Sequence, residues 1–201
     1  MDRTQKILAI ALLLCGGAVA LWGAYIPAKA ALSQVLLGRA YERSVAMGTA
    51  QAPWPWAAAN AVGKLTLPDG ESYIILDQDH GKALAFAPGL VRGGDSPDAA
   101  QENGGSHVVI AAHRDTQFKH VGEFKVGDRL TMSSLSGTEL TYQIDGMIVT
   151  DKDQAQFVRD DVDRLSLVTC WPLDGFVPGG PERLIISARQ ISLKFDQMVA
   201  K

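Results

Sequence analysis

A cysteine at the end of an apolar run is the first residue in the sequence with clear chemical potential. Cys170 closes the segment LSLVTC and is followed by Trp171 and Pro172. Proline cannot donate to a strand ladder, so we expect the strand to end there and to leave the thiol at its edge. Free cysteine often packs as a small buried hydrophobe, and that interpretation stands beside a nucleophilic one. A nucleophilic thiol needs a base or a cation beside it to hold the thiolate form.

Histidine is the side chain best suited to that task near neutral pH, and the chain has four histidines. His113 closes the apolar run VVIAAH and precedes the polar segment RDTQF, so it occupies the same kind of strand-to-loop edge as Cys170. His80 and His120 lie in polar, turn-like segments, where solvated surface groups are expected. His107 is six residues before His113, so a regular strand would place both on one face and let His107 support His113.

Two arginines follow the cysteine in the segment ERLIISARQ. Arg183 precedes the apolar run LIISA, and Arg189 lies six residues further along. A guanidinium stays charged at any relevant pH and presents five donors in a fixed geometry, which suits it to bind a substrate backbone or an oxyanion. We predict that Arg183 has this role, with a solvated charge at a strand start as the alternative.

Residues next to the histidine and the cysteine are expected to shape a cleft. Arg114, Asp115 and Thr116 directly follow His113 and either orient it or line the cleft. Trp171 directly follows the cysteine. We predict Thr169, Arg114 and Trp171 as substrate-binding residues.

Short strands separated by turn residues must position these groups. Beyond residue 61 no helical period is long enough to predict crossover helices, so the domain is predicted to be all-β. Runs such as VVIAA and LIISA are apolar on both faces, as in strands buried on both sides of a closed or curled barrel. The predicted strands cover residues 62–67, 72–76, 107–113, 129–133, 139–150, 164–170 and 183–191.

An uncharged apolar segment runs from Ile7 to Ile26. At about 1.5 Å per residue, a helix of that length crosses the roughly 30 Å hydrocarbon core of a membrane. Arg3 and Lys6 precede it, so the excess of positive charge in cytoplasmic flanks predicts an N-terminus inside and the rest of the chain outside. Basic residues beyond the segment weigh against this orientation.

Two other interpretations of the N-terminal segment stay open. One is a signal peptide cleaved after Ala30, and the other is a lipoprotein signal that ends at Cys15. The apolar run exceeds a usual signal sequence, and Leu14 is large for the position before a lipidated cysteine, so a retained anchor is favoured. Cys15 lies in the apolar segment and is not expected to pair with Cys170.

The chain is predicted to have three parts. Residues 1–28 form a cytoplasmic stub and membrane anchor, residues 29–60 a stalk helix and a linker, and residues 61–201 the β domain. The linker contains AQAPWPWAAAN, in which two prolines deny donors that a helix needs. Trp54 and Trp56 lie either at the bilayer interface or on the outer face of the domain.

The overall charge excludes one class of partner. The 201 residues include 19 basic and 22 acidic side chains, for a net charge of −3, with no run rich in Lys and Arg. Nucleic acid is therefore not an expected partner. Asp95, Asp98 and Glu102 lack the spacing of a calcium loop, so we predict a solvated loop, no metal site and no cofactor.

The ordered combination of histidine, cysteine and arginine segments resembles the sortase family. LSLVTC is similar to the Thr-Leu-any-Thr-Cys strand of sortases, with Leu165 and Ser166 in place of Thr-Leu. IAAHRDTQF is similar to the family's histidine segment, with Ala112 where many sortases have glycine, and ERLIISA is similar to its arginine strand. The PWPW linker followed by KLTLP, and the segment CWPLDG, are most similar to sortases of Gram-negative bacteria. The similarity covers roughly residues 53–192.

The resemblance implies a closed β-barrel of about eight strands with short helices in its loops, preceded by one transmembrane helix. It implies that Cys170 is the nucleophile, His113 the acid/base partner and Arg183 the residue that steadies the reacting carbonyl. It also implies that the hydroxyl or backbone of Thr169 helps the oxyanion. A regular strand turns Thr169 to the face opposite Cys170, which favours a packing role instead.

By this resemblance the chain is expected to be a membrane-anchored cysteine transpeptidase. It would cleave a Leu-Pro-any-Thr-Gly-like motif near the C-terminus of an exported protein and transfer the acyl group to an amine acceptor. The catalytic domain would lie on the periplasmic side of the inner membrane. The alternatives are a cysteine hydrolase on the same scaffold and a non-catalytic, membrane-tethered β domain that binds a peptide.

Overall fold

The computed structural model describes residues 2–99, 105–155, 157, 161–175 and 179–191. Two parts of the sequence interpretation, Glu102 of the acidic loop and residues 192–201 of the β domain, lie outside the described residues. The chain divides into two compact units, Met1–Leu36 and Leu37–Lys201.

The N-terminal part of the chain is one long helix, α1, which spans Arg3–Met47 with Pro27 inside it. Within its segment Leu12–Met47, an 18-residue window has a mean hydropathy of 1.4, and the helix is long and apolar enough to cross a membrane, judged by length and composition. The sequence predicted a spanning helix that a short stalk helix continues. They form one helix because a single internal proline removes one hydrogen bond from a ladder that many other bonds maintain.

The last turns of α1 belong to the second unit and pack against the barrel. Leu37 and Ala40 are fully buried. The hydroxyl of Ser44 donates to the carbonyl of Ala61 at 3.0 Å, and the hydroxyl of Tyr41 donates to the carbonyl of Ser134 at 3.1 Å. The end of the helix is therefore fixed to the start of the first strand and to a loop further along.

The linker tryptophans differ in their environments. The rings of Trp54 and Phe86 meet edge to face, with centroids 5.3 Å apart and an interplanar angle of 77°. Trp56 is 83% exposed. Trp54 thus packs on the domain, and Trp56 extends into the surroundings.

Eight strands form a closed barrel in the order β1-β2-β3-β4-β7-β8-β6-β5. This confirms the predicted all-β barrel. Pro68-Asp69-Gly70 makes the turn between the first two strands, and Gly70 adopts a φ of +88°, which glycine reaches without strain. The strands are β1 Ala61–Thr66, β2 Ser72–Leu76, β3 Gly89–Leu90, β4 His107–Ala111, β5 Arg129–Ser133, β6 Glu139–Asp151, β7 Arg164–Cys170 and β8 Glu182–Ile191, with a 3₁₀ turn at Val121–Glu123.

Seven of these strands match the predicted segments, with shifts of one or two residues at some ends. Strand β4 ends at Ala111, two residues before His113, so the histidine lies on the loop that follows the strand. Strand β3 was not predicted. It has two residues and pairs with Leu76 of β2 and with β4, so it completes the barrel between them.

A hydrophobic core fills the barrel and fixes which side chains point outward. Strand β4 contributes Val108 and Ile110, β7 contributes Leu165 and Leu167, and β8 contributes Leu184 and Ile186. Because side chains alternate along a strand, the intervening residues face the outside of the barrel. Cys170 and Arg183 are among these outward-facing residues.

Candidate active site

The pairing of β4 with β7 brings the histidine and the cysteine to one edge of the barrel. These strands are parallel, and their last registered pair is Ala111 with Val168. The backbone N–H of Ala112 continues the ladder by donating to the carbonyl of Val168 at 3.1 Å. His113 lies two residues past that pair and Cys170 is the last residue of β7, so the two lie at neighbouring strand ends.

The pairing of β7 with β8 places an arginine beside the cysteine. Cys170 is the direct register partner of Arg183. Directly opposed residues of antiparallel strands share a face, with Cβ atoms about 4.5–5.5 Å apart. Arg189 pairs with Arg164 at the other end of the same strands, roughly 20 Å away by the strand rise. The structure therefore brings Arg183 to Cys170 and separates Arg189 from it.

The site is open to solvent on the outer face of the barrel. His113 is exposed, and Cys170 and Arg183 are half-buried. Thr169 points the other way, into the barrel, where it is 4% exposed and its hydroxyl donates to the carbonyl of Ala112 at 2.8 Å. A peptide could reach the thiol from solvent, whereas the Thr169 hydroxyl faces the interior.

The guanidinium of Arg183 is fixed by backbone carbonyls that precede it in the chain. Its Nη1 donates to the carbonyls of Gly180 at 2.6 Å and Glu182 at 2.8 Å. Among the described residues, no carboxylate pairs with Arg183. Within the described ranges, the positive charge at the start of β8 has no neutralising carboxylate, which suits a group that binds an oxyanion.

The other two predicted cleft residues make contacts within the chain. Arg114 is buried, and its guanidinium donates from Nη1 to the carbonyl of Pro172 at 2.7 Å and from Nη2 to that of Gly175 at 2.6 Å. Trp171 is half-buried against the core, and its backbone N–H donates to the carbonyl of Glu182 at 3.0 Å. Both residues thereby join the segments that carry the three site residues.

The prediction that His107 supports His113 is wrong. His107 opens β4, whereas His113 lies beyond its end, about 20 Å away by the strand rise. The His107 Nε2 lies 2.8 Å from the hydroxyl of Ser166, and its ring meets Phe157 edge to face with centroids 5.6 Å apart. A separation of six residues indicated one face of a regular strand, but six residues along a strand also separate two side chains by about 20 Å.

The remaining histidines and acidic residues lie outside this site. His80 and His120 are exposed and lie within 3.3 Å and 3.0 Å of carboxylates of Asp79 and Glu123. Asp95 and Asp98 each accept a bond from a backbone N–H, at 2.7 Å and 3.1 Å. Within the described part of the chain, no group of three or more His, Cys, Asp or Glu side chains is arranged to hold a metal ion.

Gly175 has a site-related role that the sequence analysis missed. A Cβ at this position would lie 2.8 Å from Nη1 and 3.1 Å from Cζ of Arg114, so only glycine leaves room for the guanidinium. The dipeptide Asp174-Gly175 is a recognisable turn signal. It does not reveal which distant side chain packs on the turn.

The closed eight-stranded barrel is the fold of solved sortase structures. Sortase A from Corynebacterium diphtheriae has the same fold, with a TM-score of 0.60 and 20% identity over 70% of this chain and 65% of that chain. Sortase C1 from Streptococcus agalactiae has a TM-score of 0.57 and 24% identity over 65% of this chain and 66% of that chain.

The sequence agrees with the fold. Residues 65–191 match the Sortase domain family, and the chain belongs to that family. Sortase D from Bacillus subtilis (strain 168) is 36% identical over 93 residues. That alignment covers 45% of this chain and 45% of the relative, so the matched region spans slightly less than half of either protein.

Proposed function

We propose that the protein is a cysteine transpeptidase in which Cys170 is the nucleophile, His113 the general acid and base, and Arg183 the oxyanion-binding residue. The observation that carries the proposal is the strand register at the edge of the barrel. Cys170 is paired with Arg183 across β7 and β8, and His113 follows the end of the neighbouring strand β4. A nucleophile, a proton-transfer group and a fixed positive charge are thus close together on a solvent-accessible face.

The first half of the reaction forms an acyl enzyme. The Cys170 thiolate attacks the threonine carbonyl of a Leu-Pro-any-Thr-Gly-like peptide, and the negative charge that develops on the carbonyl oxygen lies beside Arg183. The C–N bond to the glycine then breaks, and His113 donates a proton to the departing amine. The products are a thioester on Cys170 and a free amine.

The second half transfers the acyl group. An amine acceptor loses a proton to His113 and attacks the thioester carbonyl, and the Cys170 thiolate leaves. The new amide bond replaces the one that was cleaved. Water in place of the amine would give a carboxylic acid, which is the hydrolase alternative.

We propose an exported protein with a C-terminal sorting motif as the donor. The half-buried thiol on an outer face suits an extended peptide segment better than a small enclosed ligand. The segments PWPW, KLTLP and CWPLDG support assignment to the sortases of Gram-negative bacteria. With that assignment, the barrel lies in the periplasm.

We also propose that α1 anchors the protein in the inner membrane with its N-terminus in the cytoplasm. The helix is long and apolar enough to span a membrane, and Arg3 and Lys6 precede its apolar segment. A reporter enzyme fused after Lys201 should be active outside the cytoplasm, and the protein should stay with membranes after an alkaline wash. A soluble mature form starting at Ala31 would contradict the retained anchor.

Mass spectrometry of the full chain with a Leu-Pro-any-Thr-Gly peptide library tests the proposed reaction. With an added amine, we expect a transfer product, loss of the glycine-containing fragment and an acyl adduct on Cys170. Cys170→Ala should remove both adduct and product, because the proposed thioester forms on the Cys170 thiol. His113→Ala should abolish transfer, because neither amine can then exchange its proton with the site.

The second cysteine provides the matched control. Cys15 lies in α1 and is exposed, so Cys15→Ala should leave the transfer rate unchanged. Acid as the sole product at saturating amine would instead identify a hydrolase. Binding of peptide without adduct or product would identify a non-catalytic domain, and normal transfer by Cys170→Ala would exclude the assigned nucleophile.

A further inference from the structure

Arg114 is a charged residue that the barrel unit buries next to the histidine. It follows His113 directly and is 8% exposed. A buried guanidinium is costly unless its N–H groups find acceptors. Nη1 and Nη2 each find one, because they donate to the carbonyls of Pro172 and Gly175 at 2.7 Å and 2.6 Å. Both acceptors lie in the turn that follows Cys170.

The turn that Arg114 binds is compact and continuous with the cysteine. The N–H of Gly175 donates to the carbonyl of Pro172 at 3.2 Å, so this carbonyl accepts a bond from the turn as well as one from Arg114. The N–H of Trp171 donates to the carbonyl of Glu182 and ties the start of the turn to β8. The planar fork of a guanidinium is suited to bind two neighbouring carbonyls in a fixed geometry.

A second side-chain hydrogen bond joins the residues that directly precede His113 and Cys170. The hydroxyl of Thr169, which precedes Cys170, donates to the carbonyl of Ala112, which precedes His113, at 2.8 Å. Arg114 follows His113 and binds a carbonyl two residues after Cys170. The histidine and the cysteine are therefore flanked on both sides by bonds that join their own neighbours in the chain.

We infer that Arg114 is a positioning residue that fixes the separation of His113 and Cys170 by binding the turn after the cysteine. This inference rests on the proposed function, because it assigns Arg114 a task in that site. It replaces the expectation that Arg114 binds substrate, since Nη1 and Nη2 are already bonded to the chain's own carbonyls. The residue acts through the backbone and does not touch the reacting atoms.

Two substitutions perturb this contact from opposite sides. Arg114→Lys keeps the charge, but a single ammonium cannot reproduce the two parallel bonds of the guanidinium. Gly175→Ala leaves Arg114 unchanged and displaces its guanidinium, because the new Cβ would lie 2.8 Å from Nη1. Gly175 does not have a positive φ, so alanine causes no backbone strain of its own.

Matched controls are available elsewhere in the barrel. Arg129 is an exposed arginine at the start of β5, so Arg129→Lys repeats the chemical change without the contact. Gly146 lies in β6 and a Cβ there would meet nothing within 4 Å, so Gly146→Ala repeats the glycine change without the clash. Both controls should behave as the parent protein does in every assay.

The first assay is steady-state transfer by the folded, full-length protein. We expect Arg114→Lys and Gly175→Ala to lower kcat by about 10- to 100-fold, the scale of a misplacement near 1 Å, and to change KM by less than about twofold. A substrate-binding role would raise KM and leave kcat unchanged, and this result would overturn the inference. The double variant should be no worse than the poorer single variant, because both changes break one contact.

The second assay does not depend on any donor peptide. The rate of Cys170 alkylation by iodoacetamide is measured from pH 5 to 10 in a Cys15→Ala background. Both variants should lose reactivity near neutral pH and approach the profile of His113→Ala, because the thiol is further from its partner. Unchanged profiles in both variants, with only a lower unfolding midpoint, would show a merely structural role and overturn the inference.

The two assays separate the inference from the function on which it rests. If the parent protein forms no acyl adduct with any peptide, the proposed function fails. The alkylation profiles would still show whether Arg114 controls the histidine and cysteine pair. If transfer proceeds in the parent and is unaffected by Arg114→Lys and Gly175→Ala, the positioning role alone fails.

Discussion

At the level of single residues, strand register shows which of two arginines in one segment of the sequence lies beside Cys170. Arg183 and Arg189 lie on the same outward face of β8, but only Arg183 is paired with Cys170. Its Nη1 donates to the carbonyls of Gly180, in the preceding loop, and of Glu182, the first residue of β8. The guanidinium is therefore pre-organised at the place where the proposed reaction develops negative charge.

Arg183→Lys should consequently lower activity although it preserves charge. We expect kcat and kcat/KM to fall together by about 10²-fold or more, as for loss of an oxyanion donor, because the interaction strengthens only in the transition state. Arg189→Lys, on the same strand but paired with Arg164, is the matched control and should retain parent activity. Loss at Arg189 with none at Arg183 would reverse the assignment.

Much of the candidate site could be predicted because its side chains stand at strand ends that the sequence marks. Pro172 marks the end of the cysteine strand, and the polar segment after His113 marks the end of β4. The Arg114 contact could not be predicted, because its acceptors are backbone carbonyls 58 and 61 residues away in the chain. Every residue has a backbone carbonyl, so the residue types in the sequence do not indicate which carbonyls Arg114 binds.

At the level of elements, the strands that were predicted are those with apolar runs or alternation over five or more residues. Strand β3 has two residues, Gly89 and Leu90, which is too short for any period to appear. Its position is fixed by tertiary pairing with β2 and β4 instead of by local sequence. The two-residue strand is nevertheless what joins the first hairpin to the strand that precedes His113.

Gly89 of β3 lies so close to the backbone of Gln78 that a larger side chain does not fit there. A Cβ on Gly89 would lie 1.9 Å from the carbonyl oxygen of Gln78 and 2.5 Å from its carbonyl carbon. Backbone atoms cannot rotate away as the end of a side chain can. We expect Gly89→Ala to lower the free energy of unfolding by about 1–3 kcal/mol, the usual cost of overpacking.

Urea unfolding of the full chain in mild detergent, followed by tryptophan fluorescence, measures this loss. Gly146→Ala on β6 is the control, because its Cβ would meet no atom within 4 Å. A Gly89→Ala variant as stable as the control would mean that the backbone at Gln78 yields, and that the close approach does not constrain the barrel.

At the level of the whole molecule, one buried tyrosine is expected to lower the stability of the barrel at alkaline pH. Tyr142 of β6 is fully buried, and its hydroxyl has no hydrogen-bond partner within the described part of the chain. Burial, and to a smaller extent the carboxylate of Asp163, raises the pKa of Tyr142 well above its usual value of 10.0. The folded barrel therefore keeps this hydroxyl protonated when an unfolded chain would release the proton.

The sign of the effect follows from proton binding. Above about pH 10 the unfolded chain loses the Tyr142 proton while the folded chain retains it, so stability is complete below that pH and falls as pH rises. At pH 11 the free energy of unfolding of the parent should have fallen by about 1.4 kcal/mol through this residue, and Tyr142→Phe should not show that loss. The measurement is the difference in unfolding free energy between the two proteins at pH 8 and pH 11. An equal difference at both values would contradict the prediction.

The separation of an apolar N-terminal helix from a β domain could be predicted from composition alone, because a 20-residue uncharged run and a series of short strands are distinct patterns. The continuation of the helix beyond the membrane segment could also be predicted, because Leu32, Val35 and Leu36 lie at helical spacing. The packing of its last turns depends on Leu37 and Ala40 meeting a surface that is built from residues much later in the chain.

The parallel pairing of β4 with β7 has a consequence for how the protein acquires its chemistry during folding. The paired residues are 57 positions apart, as from His107 to Arg164, so this pairing must bring distant parts of the chain together against the entropy of closing a long loop. In the proposed mechanism, Cys170 gains its histidine only when that pairing is made. In that mechanism, a newly made chain carries an ordinary thiol, and the reactive thiol emerges together with the closed barrel.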